Sequence, residues 1–158
     1  MKTVLVYYSQ SGNTAAIAAN IARILNADLL RVFPKKAYPD KGFRKYLWGG
    51  KSAVMGESPA LEPYDFNDSY DTVIIGTPVW ASTFAPPIRT FLAENKETLA
   101  NKKFAAFACL GGNNPGKTFE KLQKEPGVDS LVATAIFPDT MSDEQRAKTI
   151  DAFCDQLR

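Results

Sequence analysis

The chain contains no histidine. That one absence removes Ser-His and Cys-His nucleophile pairs, histidine-ligated zinc and histidine general bases together. Cysteine is almost as scarce. Cys109 and Cys154 lack metal-ligand spacing, and two thiols in 158 residues make no disulfide framework, so both are expected to be ordinary buried thiols. No apolar stretch approaches the roughly 20 residues of a membrane span, and no basic segment leads into an apolar leader with a cleavage site. The expected address is the cytoplasm, with no membrane contact. Strong charge of one sign is also missing. The 19 basic and 17 acidic residues leave +2, too mild a surplus to argue for a nucleic-acid partner. Chemistry must therefore come from carboxylates, hydroxyls, amides or a bound cofactor.

What is present is enough apolar material for one core. A chain of 158 residues with 45% hydrophobic content reads as a single domain over residues 1–158. Apolar runs alternate with amphipathic segments. Val4 to Tyr8 reads as a strand, followed by a helix with Ile17, Ile21, Ile24 and Leu25 at three- and four-residue spacing. Leu29 to Phe33 reads as a second strand and Thr72 to Ile75 as a third, closed by Gly76. A helix over Pro87 to Glu94 carries proline in its first turn and Ile88, Phe91 and Leu92 on one face. Phe104 to Leu110 is the fourth strand, Thr118 to Lys124 a short helix and Leu131 to Phe137 the fifth strand. The last helix opens on Ser142-Asp-Glu-Gln145, a capping-box pattern. Continuous apolar strands alternating with helices predict an α/β fold: a doubly wound three-layer sandwich around a parallel sheet. Ligands in such sheets bind beyond the carboxyl ends of the strands, where the strand order reverses.

Three unusual loops fall at that end. The first is "SQSGNT", residues 9–14, whose hydroxyls, amide and successive backbone N–H groups stand at a helix start, with Gly12 allowing close approach. Neutral donors at a helix N-terminus suit a phosphate, the plainer alternative being that Ser11 and Asn13 only cap the helix. The loop lacks the Gly-Lys-Ser/Thr of a Walker A motif and the spaced glycines of a dinucleotide fingerprint, so ATP, GTP and NAD fit it poorly. The second loop, "GTPVWAST" at 76–83, places Trp80 in a turn beside the first, either as a core residue or as a plane on which a flat ring can stack. The third, "CLGGNNPGK" at 109–117, is a backbone-rich rim suited to a ring edge or to a plain turn.

These motifs resemble those of the flavodoxin-like FMN-binding proteins. "VYYSQSGNTAAIA" looks like the family's phosphate loop, and "IIGTPVWASTFAPPIRTFL" like its first flavin-ring loop with the helix that follows. The resemblance implies a five-stranded parallel sheet of order 2-1-3-4-5 and FMN as cofactor. Ser9, Gln10, Ser11, Gly12, Asn13 and Thr14 would hold the phosphate. Thr77, Pro78, Val79 and Trp80 would line one face of the flavin, and Leu110, Gly111 and Gly112 the other side of its rim.

Three departures qualify the implied function. The third loop offers no aromatic before Phe119, which leaves one flavin face open to a nicotinamide or quinone. The chain is slightly basic where electron-carrying flavodoxins are very acidic, which predicts a less negative flavin potential. Residues 34–70 are longer than an ordinary crossover and hold Lys35, Lys36, Lys41, Arg44, Lys45 and Lys51. This stretch reads as a docking patch for NADPH phosphate or an acidic redox partner, as a solvated face, or as a dimer contact. A short helix is expected over Phe43 to Trp48. The implied function is NAD(P)H-dependent reduction of a quinone, flavin or similar small acceptor, with no protein catalytic residue and no metal. The alternative is a non-catalytic electron carrier between redox partner proteins. Monomer and homodimer both remain open.

Overall fold

Strands covered on both faces cannot alternate apolar with polar residues, and the apolar runs of this chain accordingly form the middle layer of the molecule. The computed structural model describes residues 2–38 and 58–158. The strands β1 (Thr3–Tyr7), β2 (Asp28–Arg31), β3 (Thr72–Trp80), β5 (Lys103–Leu110) and β6 (Leu131–Pro138) pair in parallel in the order β2-β1-β3-β5-β6. A two-residue β4 (Thr83–Phe84) lies antiparallel to the end of β3. Leaving β4 aside, this is the expected order 2-1-3-4-5. Helices α1 (Asn13–Leu25) and α5 (Asp143–Asp155) pack on one face. On the other lie α2 (Pro86–Glu94), α3 (Lys96–Leu99) and α4 (Thr118–Lys124).

Local chemistry explains the helix ends. At the close of α1, Asn26 takes the left-handed conformation and Ala27 N–H returns to Ala22 O at 2.9 Å. Pro86 and Pro87 occupy the first turn of α2, where an N–H has no intrahelical partner to lose. Ser142 caps α5 by accepting from Gln145 N–H at 3.1 Å. The Gln145 side chain does not return the bond. It donates to the Thr149 hydroxyl at 3.3 Å, so half of the capping box forms.

Pleating sorts the core into two clusters. Leu5, Tyr7, Ile74, Ala105 and Phe107 meet Ile17, Ile21 and Phe153 of the flanking helices on one face. Val4, Val6, Val73, Ile75, Phe104 and Ala106 meet Ile88, Phe91 and Leu99 on the other. One row of neighbours crosses the whole sheet: Arg31, Tyr7, Gly76, Phe107 and Ala135.

The third strand is longer than expected. Gly76 does not close it, and the chain runs on through Pro78 to Trp80. A Gly-Thr-Pro sequence reads as a turn, but the neighbouring strand explains the exception. Gly76 O accepts from Tyr8 N–H at 3.2 Å, so Gly76 faces β1. Pro78, two residues on, faces the same edge beyond the end of β1, and its missing N–H removes no ladder bond. Trp80 therefore ends a strand, and the turn itself is Ala81-Ser82.

The expected helix over Phe43 to Trp48 lies outside the described residues. The described flanks of that stretch run antiparallel: Lys35 N–H donates to Ala60 O at 2.8 Å and Glu62 N–H to Phe33 O at 2.7 Å. Beyond them Tyr64, Phe66 and Tyr70 pack with the α2 side of the core.

Gly76 has a second role. A Cβ at this position would collide with the Phe107 ring, which lies across the sheet edge-on to Phe137 and Phe153. Gly76→Ala should lower stability by ~1–3 kcal/mol through overpacking. Adding Phe107→Leu should recover part of that loss. Urea midpoints at unchanged m-value check both.

Candidate functional site

The loops after β1, β3 and β5 leave the sheet at one end, on both sides of the point where the strand order reverses. In the first loop Ser9 is buried, and its hydroxyl oxygen accepts from Gly12 N–H and from Ala15 N–H, both at 3.2 Å. Ser9 thus shapes the loop from inside. Gly12 takes φ 98° as the N-cap of α1 and has no side chain to offer; the Ser9 hydroxyl takes the Ala15 N–H of the first turn in its place. Ser11, Gly12 and Asn13 form an exposed rim. Thr14 is buried, with its hydroxyl on the side of the Cys109 thiol, whose ionised form it favours. Gln10 turns sideways, its Nε2 donating to Tyr38 O at 3.4 Å. Its Oε1 is buried with no hydrogen-bond partner among the described residues.

The second loop is a tight hairpin. The Thr77 hydroxyl is fully buried and accepts from Ala85 N–H at 3.0 Å, fixing the base of the hairpin. Pro78 and Val79 are half-buried. Trp80 is only 4% exposed and meets Tyr8 and Tyr38 edge-on, at 5.6 and 5.4 Å between ring centroids. Ala81 and Ser82 both take positive φ, 51° and 63°. A two-residue turn of this kind favours Asn-Gly, so the Ala-Ser version carries backbone strain. The third loop holds that turn in place. Lys117 N–H donates to Ser82 O at 2.9 Å, and Gly116, at φ 61°, packs so closely on Ser82 that a Cβ would overlap it.

The three loops are thus physically joined. Tyr8 and Trp80 link the first to the second, and Ser82 links the second to the third. Leu110 is buried at the end of β5, whereas Gly111 and Gly112 are exposed. The expected site residues fall into two groups. Ser11, Gly12, Asn13, Gly111 and Gly112 present an open rim, with Pro78 and Val79 partly so. Ser9, Thr14, Thr77, Trp80 and Leu110 lie buried beneath it, and Gln10 is half-buried.

Two residues escaped the sequence reading. Arg31, at the end of β2, donates from Nη2 to Ser9 O at 2.8 Å. Asp139, after β6, donates its backbone N–H to Leu110 O at 2.8 Å, and its carboxylate approaches Gly111. Strand order alone could have flagged Arg31, since the residue leaving β2 must neighbour the exit of β1. Among the described residues no cluster of acidic or thiol side chains could hold a metal.

Burial pushes the Tyr8 phenol well above its usual range. Tyr38 adds to that shift and Arg31 opposes it. Burial likewise raises the Cys109 thiol from 9.0 to about 11, with the Thr14 hydroxyl opposing. Cys154 is also raised to about 11, by burial first. The folded chain keeps these thiol protons above the pH at which the unfolded chain loses them. Their contribution to stability is therefore full below pH 9 and is lost between about pH 9 and 11. Iodoacetamide at pH 7 should label neither cysteine in the folded protein and both after denaturation, as mass spectrometry would show.

The sequence pattern of the family described as Flavodoxin matches residues 2–152. No curated protein matches the chain. Among solved structures, a candidate flavoprotein of Bacteroides eggerthii is 26% identical at a TM-score of 0.78, covering 98% of this chain and 96% of its own. A flavoprotein of Lactobacillus acidophilus in complex with FMN is 24% identical at a TM-score of 0.73, covering 94% and 97%. The two-electron reduced flavodoxin of Megasphaera elsdenii is 18% identical at a TM-score of 0.64, covering 98% and 96%. With its sheet order, its loop cluster and a family match over nearly its whole length, the chain belongs to the flavodoxin family.

Proposed function

We propose that this chain binds FMN across its three loops and acts in electron transfer as an NAD(P)H-dependent oxidoreductase, reducing a quinone, a flavin or a similar small acceptor. The residues present fit the group. The exposed Ser11, Gly12 and Asn13 at the start of α1 offer neutral donors that suit a phosphate monoester, and the third loop is tied through Gly116 to the turn that follows Trp80. The FMN complex of the Lactobacillus relative supports the same reading. When bound, FMN supplies hydride acceptance and the release of electrons singly or in pairs.

The observation that carries the oxidoreductase reading is the asymmetry of the rim. Among the described residues the aromatic rings of this end, Tyr8, Tyr38 and Trp80, stand together on the β1–β3 side. The third loop contributes glycines, asparagines and Pro115, while Phe119 packs into the core cluster under α4. A ring held on one side and left open on the other can receive a second flat ring. The role of the chain is then to hold the phosphate, to brace Trp80 and to leave that face accessible.

Charge points the same way. Residues 77–83 and 110–119 hold no carboxylate, and among the described residues Asp139 brings its carboxylate toward Gly111. A redox titration should give a less negative potential for the second reduction step than an acidic flavodoxin shows. The non-catalytic carrier remains the second reading, supported by the flavodoxin-like phosphate loop at residues 9–14.

The deciding experiment is the anaerobic visible spectrum of the FMN-loaded protein before and after one equivalent of NADPH, then NADH. Rapid bleaching of the oxidised flavin band is expected. No bleaching, with normal stepwise chemical reduction, would assign the carrier role.

A further inference from the structure

We propose that Arg31 is the positioning residue of the phosphate loop and supplies, from the adjacent strand, the positive charge that the loop lacks. This rests on the FMN reading above and goes beyond it by assigning the selectivity for a phosphorylated flavin to a residue outside the loops.

The geometry carries the inference. Arg31 pairs with Tyr7 in the sheet, so its side chain stands level with the exit of β1. Nη2 donates to Ser9 O at 2.8 Å. In a trans peptide the carbonyl of one residue and the N–H of the next point in opposite directions. Drawing Ser9 O toward β2 therefore turns Gln10 N–H away from β2. The Ser9 hydroxyl meanwhile holds Gly12 N–H and Ala15 N–H. The two ends of one residue thus set the peptide that opens the loop and the helix start that closes it.

The guanidinium is fixed rather than swinging in solvent. It lies 5.9 Å from the centre of the Tyr7 ring and 5.0 Å from that of Phe33. Phe33 is 50% exposed, an unfavourable place for a phenyl ring unless it serves to cover the cation. Nε of Arg31 is buried without a hydrogen-bond partner among the described residues. A buried donor left unpaired costs free energy, and a lysine or leucine could pack here without it. The planar fork is retained at that cost because it reaches a backbone carbonyl while its charge stays beside the loop.

The test compares FMN with riboflavin, which shares the ring and lacks the phosphate. Apo-protein is titrated with each flavin by fluorescence quenching, for wild type, Arg31→Gln and Arg31→Lys. The expected result is a loss of FMN affinity of about tenfold in Arg31→Gln with riboflavin affinity little changed, and a smaller loss in Arg31→Lys. Added salt should weaken FMN binding more in wild type than in Arg31→Gln. If Arg31→Gln does not fold, the FMN-to-riboflavin ratio of Arg31→Lys decides alone, and a ratio equal to wild type overturns the proposal. An equal loss for both flavins, or an unchanged ratio in a folded Arg31→Gln, would make Arg31 a structural tie only and also overturn it. Wild-type protein that binds neither flavin would overturn the FMN reading itself, and this proposal with it.

Discussion

The pairing of β1 between β2 and β3 is the constraint on which the rest of the molecule depends. It fixes one row, Arg31, Tyr7, Gly76, Phe107 and Ala135, just below the end of the sheet where the loops emerge. Beyond that row β1 leaves for α1 through residues 8–12, while β3 continues alone on that side to Trp80. A one-residue slip of β1 would exchange the two core clusters and carry Arg31 away from Ser9. Gly76 makes the row possible, because only there can the Phe107 ring cross to a neighbouring strand. The position of the loops is thus inherited from side-chain packing in the sheet beneath them.

Strain and buried polarity concentrate above that row. Ala81 and Ser82 occupy conformations that glycine or asparagine would adopt more easily, held by the Thr77 hydroxyl on one side and Lys117 N–H on the other. Apart from Arg89 Nε at the start of α2, the described residues Gln10, Thr83 and Arg31 hold side-chain polar atoms, Oε1, Oγ1 and Nε, that are buried without partners. Each feature lowers stability, and all lie at the carboxyl end of the sheet or on its loops. Local rules broken together at one end of an otherwise consistent fold mark that end as the functional one.

Most of the architecture could be read from residue patterns because each core strand is a continuous apolar run flanked by helical periodicity. The Thr118–Lys124 helix and the start of the fifth strand at Leu131 match the expectation, and the remaining boundaries of those elements move by a residue or two. The exceptions have physical causes. β3 runs through Gly76 and Pro78 because β1 ends first, a fact about a neighbour that local sequence cannot carry. β4 is two residues long and exists through its pairing with Val79 and Trp80, with no periodicity of its own. The loop positions were legible, but the division of labour within them was not. Ser9, Thr14, Thr77 and Trp80 have the chemistry of ligand contacts, and all four are buried in the fold. Arg31 has the appearance of an ordinary edge-strand cation until the register puts it beside Ser9.

That placement resolves the oddity of a phosphate loop with no basic residue. A lysine within residues 9–14 would offer a mobile point charge to any anion and would crowd the backbone donors of a short turn. An arginine one strand away, held between Tyr7 and Phe33, leaves the donors free and adds a fixed field behind them. Orientation then comes from backbone N–H groups whose direction the arginine sets, and charge enters as a second layer. Recognition built this way discriminates by shape first and by charge second. That order suits a cofactor whose ring must also be aligned with the aromatic wall of Tyr8 and Trp80.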